Sequence, residues 1–153
     1  MFTSGKERKR AAVMVANKKI DAILTDQLSD EYTVVIEITH GNLKFIATSI
    51  YLDIKHELSE DLHKIENIQW LAKDRVLLVA MDSKARSRIW HDVTTNRRDR
   101  MLEEFLISNR LHIVNEDSGL TTFESTMGTS NVDLTVAYST MAKLIHMCHC
   151  REQ

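Results

Sequence analysis

Hydrophobic and polar positions alternate along the first third of the chain with the period of two that marks β-strands. Tyr32, Val34, Ile36 and Ile38 share one parity, and Leu43, Phe45, Ala47, Ser49 and Tyr51 share another. His40-Gly41-Asn42 between them is a hairpin-type turn signal. Ala11–Ala16 and Ile20–Thr25 read as two further strands. The period then changes. Leu58, Leu62, Ile65, Ile68 and Ala72 recur at helical spacing, which predicts an amphipathic helix over about 57–72. Arg75 to Met81 is a short, apolar, β-branched-rich run, expected for a central strand covered on both faces.

A second helix follows, with Asn96 and Asp99 as a cap variant and Met101, Leu102, Phe105 and Leu106 as its apolar stripe. Short strands are expected near His112–Asn115, Leu120–Phe123, Asn131–Ala137 and Lys143–Cys148. Largely hairpin-linked strands with two inserted helices predict an α+β layered domain, with a three-layer α/β domain as the alternative. The 153 residues suit a single domain over 1–153, of which residues 1–8 are expected to be disordered.

Composition narrows this little. Hydrophobic and charged fractions of 43% and 27% are ordinary for a globular chain, and the absence of proline has no functional reading. A net charge of −2 confines any nucleic-acid surface to a local patch. Cys148 and Cys150 offer no disulfide framework, which points to an intracellular protein. No apolar run approaches the roughly 20 residues that span a bilayer. The basic start before Ala11–Ala16 is not read as a signal peptide, because its apolar part is too short.

Four places could carry chemistry. Asp82 ends the apolar strand, where layered α/β folds gather ligand residues, although an Asp there also suits a simple turn. In Asn131-Val132-Asp133-Leu134-Thr135-Val136, alternation puts Asn131, Asp133 and Thr135 on one face, either a solvated surface or the floor of a polar site. The preceding Ser125–Ser130 loop is rich in Gly, Ser and Thr but matches no phosphate-loop spacing. Lys84, Arg86, Arg88, Arg97, Arg98 and Arg100, with Trp90 and His91 among them, form a local cation excess that suits a phosphate backbone. Cations in a helix's first turn oppose its dipole, so Arg97, Arg98 and Arg100 are not explained by helix stability. His146, Cys148, His149 and Cys150 invite a zinc reading. Their spacing is poor and no second ligand pair closes a tetrahedron, so a ragged last strand is preferred. No nucleophile elbow or phosphate-loop motif occurs.

Taken together, VLLVAMDSKARSRIWHD, NRRDRMLEEFLISNRLHIVNE, LTTFES and GTSNVDLTVA resemble the apurinic-like endonuclease domain of insect-type non-LTR retrotransposons. That domain belongs to the endonuclease/exonuclease/phosphatase superfamily. The likeness runs from about Lys9 to about Cys150. It implies part of a four-layer α/β sandwich, two mainly antiparallel sheets packed face to face with helices outside. It also implies magnesium-assisted hydrolysis of a DNA phosphodiester, nicking target DNA so that its 3′ end primes reverse transcription. DNA is the implied partner, in the nucleus, with relatives fused to a reverse transcriptase; no membrane and no specific protein partner are expected.

By the same resemblance Asp82 falls on the proton-handling Asp of a strand-end D-x-N motif. Tyr51 falls on a tyrosine near the scissile phosphate, and Asp133 on an aspartate that orients a histidine. Arg86, Arg88, Arg97, Arg98, Arg100 and Asn131 are the expected DNA contacts. The departures are specific. Lys84 stands at the motif's asparagine, Arg98-Asp99-Arg100 replaces Arg-Gly-Arg, and neither the metal-holding Glu nor the closing Asp-His pair is found. The resemblance therefore implies a truncated, inactive fragment lacking its first strands and its last, with metal ligands unknown. Two other readings stand beside it: a non-catalytic DNA-binding remnant using the Lys84–Arg100 cluster, and a small-molecule phosphoesterase of the same superfamily.

Overall fold

In the computed structural model, the alternating segments pair as their pattern demands. The structure describes residues 1–5, 8–73, 76–92, 95, 97–115, 121–126, 128–143 and 145. Strands β1 (Asp21–Leu24), β2 (Thr33–His40) and β3 (Leu43–Tyr51) form an antiparallel meander. His40 pairs with Leu43 across the predicted turn, where Gly41 adopts φ +58°, a conformation glycine takes without a Cβ penalty. Helix α1 (Leu58–Ala72) then carries the chain back, so that β4 (Val76–Asp82) lies parallel to β3. Helix α2 (Arg97–Ser108) leads to β5 (Leu111–Ile113), and a hairpin of β6 (Phe123–Ser125) and β7 (Gly128–Ser130) leads to β8 (Asp133–Tyr138). A single turn, α3 (Ser139–Ala142), follows. The main sheet has the order β1-β2-β3-β4-β8-β5, and only β3–β4 is parallel.

The two faces of this sheet are covered differently. Val35, Ile46, Ile50, Leu77, Val79, Met81, Leu134 and Val136 face the helices and pack with Leu62, Ile65, Ile68, Leu102, Phe105 and Leu106. Burial of this cluster supplies the main driving force of the fold, at about 25 cal/mol per Å² of apolar area. On the opposite face, Val34, Ile36, Ile38 and Ala47 are covered by Ala11, Val13, Val15 and Phe2. That cover stops at β3. Farther across the same face, Ala80 of β4 is exposed.

Two expectations are corrected. Ala11–Ala16 is not a strand: it pairs only through a bridge between Val13 and Phe2, with Ala11, Val13 and Val15 packed on the sheet and Met14 exposed. Lys143 follows a helical turn rather than opening a strand, and 144 and 146–150, including His146, Cys148, His149 and Cys150, lie outside the described residues. Residues 116–120 and the Asn96 cap lie outside them as well.

Candidate functional site

The sheet register places the three residues singled out by the resemblance in one row. Tyr51 is the register partner of Asp82 across β3–β4, and Asp82 that of Asp133 across β4–β8. All three share the face away from the helices, on adjacent strands about 4.8 Å apart. The row behind them is Ser49, Ala80 and Thr135. Because these side chains are small, the sheet surface recedes into an open cleft of about 360 Å³, which Arg10 and Asn115 also line. The cleft lies at the carboxyl ends of β3 and β4, where a parallel pair with a helical crossover presents its ligand-facing loops.

Several polar contacts fix this row. Thr122 Oγ1 accepts the backbone N–H groups of Val132 (3.0 Å) and Asp133 (3.1 Å), and Asn115 Oδ1 accepts that of Thr135 (2.6 Å). Asn115 Nδ2 donates to the Asp133 carbonyl at 3.2 Å. Ser83, fully buried, donates both its N–H and its hydroxyl to the Val132 carbonyl at 2.7 Å, joining the end of β4 to the start of β8. Neither Asn115 nor Thr122 was anticipated, since each acts through the backbone of a strand distant in sequence.

Charge in the cleft is unusually arranged. Lys84 adopts φ +48°, which swings its side chain back over the row. Its Nζ lies 2.8 Å from Asp82 Oδ2, 5.4 Å from the centre of the Tyr51 ring and 5.5 Å from that of Phe123. Burial works against the ammonium, but its hydrogen bond to Asp82 and the charges of Asp82, Tyr51 and Asp133 raise its pKa. Asp133 is pushed above the ordinary carboxylate range by burial and then by the charge of Asp82; the Thr122 hydroxyl and Lys84 offset this only in part. Burial therefore favours the protonated form of Asp133 more than in a free aspartate. Asp82 Oδ1 is buried with no hydrogen-bond partner, an unused acceptor beside the cleft.

The cation run divides into two groups. Arg88, Arg97 and Arg100 are exposed. Arg86 turns back: its Nε donates to Asp92 (3.3 Å), its guanidinium to the Thr129 carbonyl (3.0 Å), and its own N–H is capped by buried Asp99 (2.6 Å). Arg98 reaches the carbonyls of Leu52 (3.3 Å) and Asp53 (3.4 Å). Asn131 is engaged on all sides, by Asp92, by the His91 carbonyl and by the Thr122 N–H. Arg86 and Asn131 tie the Asp82–Asp92 loop to its neighbours and Arg98 ties α2 to the end of β3, so these three expected DNA contacts all have intramolecular work to do.

Magnesium takes oxygen ligands in near-octahedral geometry and is usually held by one or two carboxylates together with water and substrate phosphate. The cleft offers Asp82 Oδ1 and Asp133, but the other Asp82 oxygen is committed to Lys84. Among the described residues no group of three or more His, Cys, Asp or Glu could hold a metal ion. The residues present fit a protein-held magnesium poorly, because an ammonium already occupies the most acidic corner of the cleft.

Comparison with known proteins places this geometry in a family context. Residues 45–153 match the model of a family described as endonuclease–reverse transcriptase. The chain is 25% identical over 134 residues to the retrovirus-related Pol polyprotein of the type-1 retrotransposable element R1 of Bradysia coprophila, covering 82% of this chain and 13% of that one. Among solved structures it resembles the endonuclease domain of TRAS1, a telomere-specific non-LTR retrotransposon, with TM-score 0.79 and 25% identity over 85% of this chain and 61% of that chain. A mannosyl-6-phosphatase of Bacteroides thetaiotaomicron shares the fold alone, with TM-score 0.51 and 11% identity over 71% of this chain and 43% of that one. The chain thus spans less than two thirds of each of these relatives. No helix among the described residues is long and apolar enough to cross a membrane.

Proposed function

Because the chain belongs to the endonuclease–reverse transcriptase family, we propose that its cleft receives a DNA phosphodiester over the Tyr51–Asp82–Asp133 row and turns it over poorly. The observation carrying this reading is the row itself: three residues of the family-matched segment, on three strands, aligned by register over an open cleft. A phosphodiester laid there meets an unused acceptor at Asp82 Oδ1, a proton carrier at Asp133 and an aromatic face at Tyr51. Acceptor and proton carrier are the two roles that hydrolysis by water demands. The brake is Lys84, whose ion pair holds Asp82 and whose side chain lies across the row.

Replacing Lys84 with Asn removes the ion pair while keeping a residue that tolerates the left-handed backbone found there. Relaxation of supercoiled plasmid, followed with magnesium and with a chelator, should be slow for the unaltered chain. It should be at least about ten-fold faster in Lys84→Asn, as expected when a general base is freed. Fast nicking by the unaltered chain, abolished in Asp82→Ala and not raised in Lys84→Asn, would overturn the brake. A DNA target places the activity in the nucleus, and within an R1-like polyprotein the nick would serve a reverse transcriptase encoded elsewhere. The remnant reading, which rests on the basic cluster, is weakened because Arg86 and Arg98 are spent on internal carbonyl and carboxylate partners.

A further inference from the structure

Arg10 belongs to a segment outside the family-matched residues, yet it lines the same cleft. Its backbone is pinned, with the N–H groups of Arg10 and Ala11 both donating to the Glu31 carbonyl at 2.7 and 3.3 Å. Upstream, Gly5 has φ +87°, and a Cβ built there would meet Glu31 at 2.8 Å, so the chain is held close against the 30–32 turn. From this anchor the guanidinium reaches across the Tyr51 ring, its Cζ 5.3 Å from the centroid. Its Nε is buried without a hydrogen-bond partner, and among the described residues it forms no ion pair within 4 Å. One oxygen of the nearby Asp53 carboxylate accepts the Lys55 N–H at 3.0 Å.

A buried guanidinium nitrogen with no acceptor is costly, and two cations facing one ring are costly unless an anion joins them. The cleft supplies two cations, Arg10 and Lys84, about Tyr51, and two carboxyls, of which Asp82 is already paired. That balance leaves room for one phosphate-sized anion on the Arg10 side, with the planar guanidinium suited to two phosphate oxygens at once.

We propose that Arg10 is the phosphate anchor of this cleft and that it holds a nucleic-acid phosphodiester without a divalent ion. This inference rests on the reading of the cleft as a DNA site. It also accounts for the poor magnesium donor set, since the positive charge facing the phosphate comes from side chains.

The test is equilibrium binding of a fluorescent duplex oligonucleotide to the full chain in chelator, across a series of salt concentrations. The variants are Arg10→Gln, Arg10→Lys and, as a distant cation at the far end of β3, Lys44→Gln. Binding should persist in chelator and weaken about ten-fold in Arg10→Gln, whose salt dependence loses about one counterion. Arg10→Lys should keep the salt dependence and recover part of the affinity, which separates anchoring from folding. Lys44→Gln should bind as the unaltered chain does. Chelator-resistant binding that Arg10→Gln leaves unchanged, or that Lys44→Gln weakens equally, overturns the anchor while leaving the cleft as a DNA site. Binding that appears only with magnesium overturns the metal-free clamp. No binding in either buffer overturns the DNA reading and the anchor together.

Discussion

Asp82 and Asp133 face each other as register partners across the antiparallel β4–β8 pair, on the open side of the sheet. Like charges directly opposite on a ladder repel, and here the repulsion is relieved on two sides: Lys84 takes one oxygen of Asp82, and Asp133 retains its proton to higher pH. The row thus sets two carboxyls side by side with one lysine ammonium between them and the open cleft.

The first consequence is a pH-dependent stability cost. Burial, and then the charge of Asp82, raise the Asp133 pKa above its ordinary 3.8. The folded chain therefore binds this proton more tightly than the unfolded chain, and its stability falls as pH rises through the interval between the two pKa values. Below 3.8 the carboxyl is protonated in both states and the cost vanishes. Asp133→Asn should be more resistant to urea than the unaltered chain at pH 7, with the advantage gone near pH 3.5. An advantage that is the same at both pH values would show that charge is not its cause.

Lys84 moderates the Asp133 shift, after burial, Asp82 and the Thr122 hydroxyl. Its charge is one of the influences holding the Asp133 pKa down, so Lys84→Met should move the Asp133 titration to still higher pH. Carbon-13 shifts of the Asp133 carboxyl, followed through a pH series in both proteins, report this directly. Coincident titration curves would mean that the two groups do not sense each other.

Two tryptophans sit at opposite extremes. Trp90, in the loop after β4, is 2% exposed and packs in the main core, whereas Trp70 on α1 is 74% exposed with Lys73 stacked 4.6 Å from its ring. Trp90→Ala should cost about 3–5 kcal/mol of unfolding free energy through lost burial and the cavity left behind. Trp70→Ala should stay within about 0.5 kcal/mol. Iodide should quench the emission that Trp70→Phe removes and leave the rest. Equal quenching of both would contradict the packing around Trp90.

How much of this could be read from sequence depended on whether the signal was local. The period of two in Thr33–Tyr51 and the helical stripe of 57–72 are properties of contiguous residues, and both elements formed where the pattern put them. Ala11–Ala16 misled because apolar residues can cover a sheet without joining it. Strand β7 is too short, at three residues, to show a period. Tyr51, Asp82 and Asp133 were named through the resemblance, but their alignment in one row is a matter of register between strands up to eighty residues apart, which no local pattern encodes. Arg10 carried no signal at all, since its place in the cleft depends on the Glu31 carbonyl that anchors it. A cation run, likewise, does not say which of its members turn inward.

That last distinction yields a final prediction. Arg97 and Arg98 are adjacent in α2, but Arg97 is exposed while Arg98 donates to the carbonyls that end β3, with a buried Nε of its own. Arg98→Ala removes the donor from the Leu52 and Asp53 carbonyls, which directly follow Tyr51, and should destabilise the chain by about 1–3 kcal/mol. Arg97→Ala should leave stability within about 0.5 kcal/mol. Paired urea melts measure the difference, and DNA affinity under folding conditions adds a second axis. If Arg97 meets the phosphate backbone, its removal lowers the salt dependence of binding by about one counterion without touching the melt. Arg98→Ala should do the reverse, because its charge is directed at the protein's own backbone. Equal melts for the two variants would mean that the Arg98 contacts contribute nothing to the wall of the cleft.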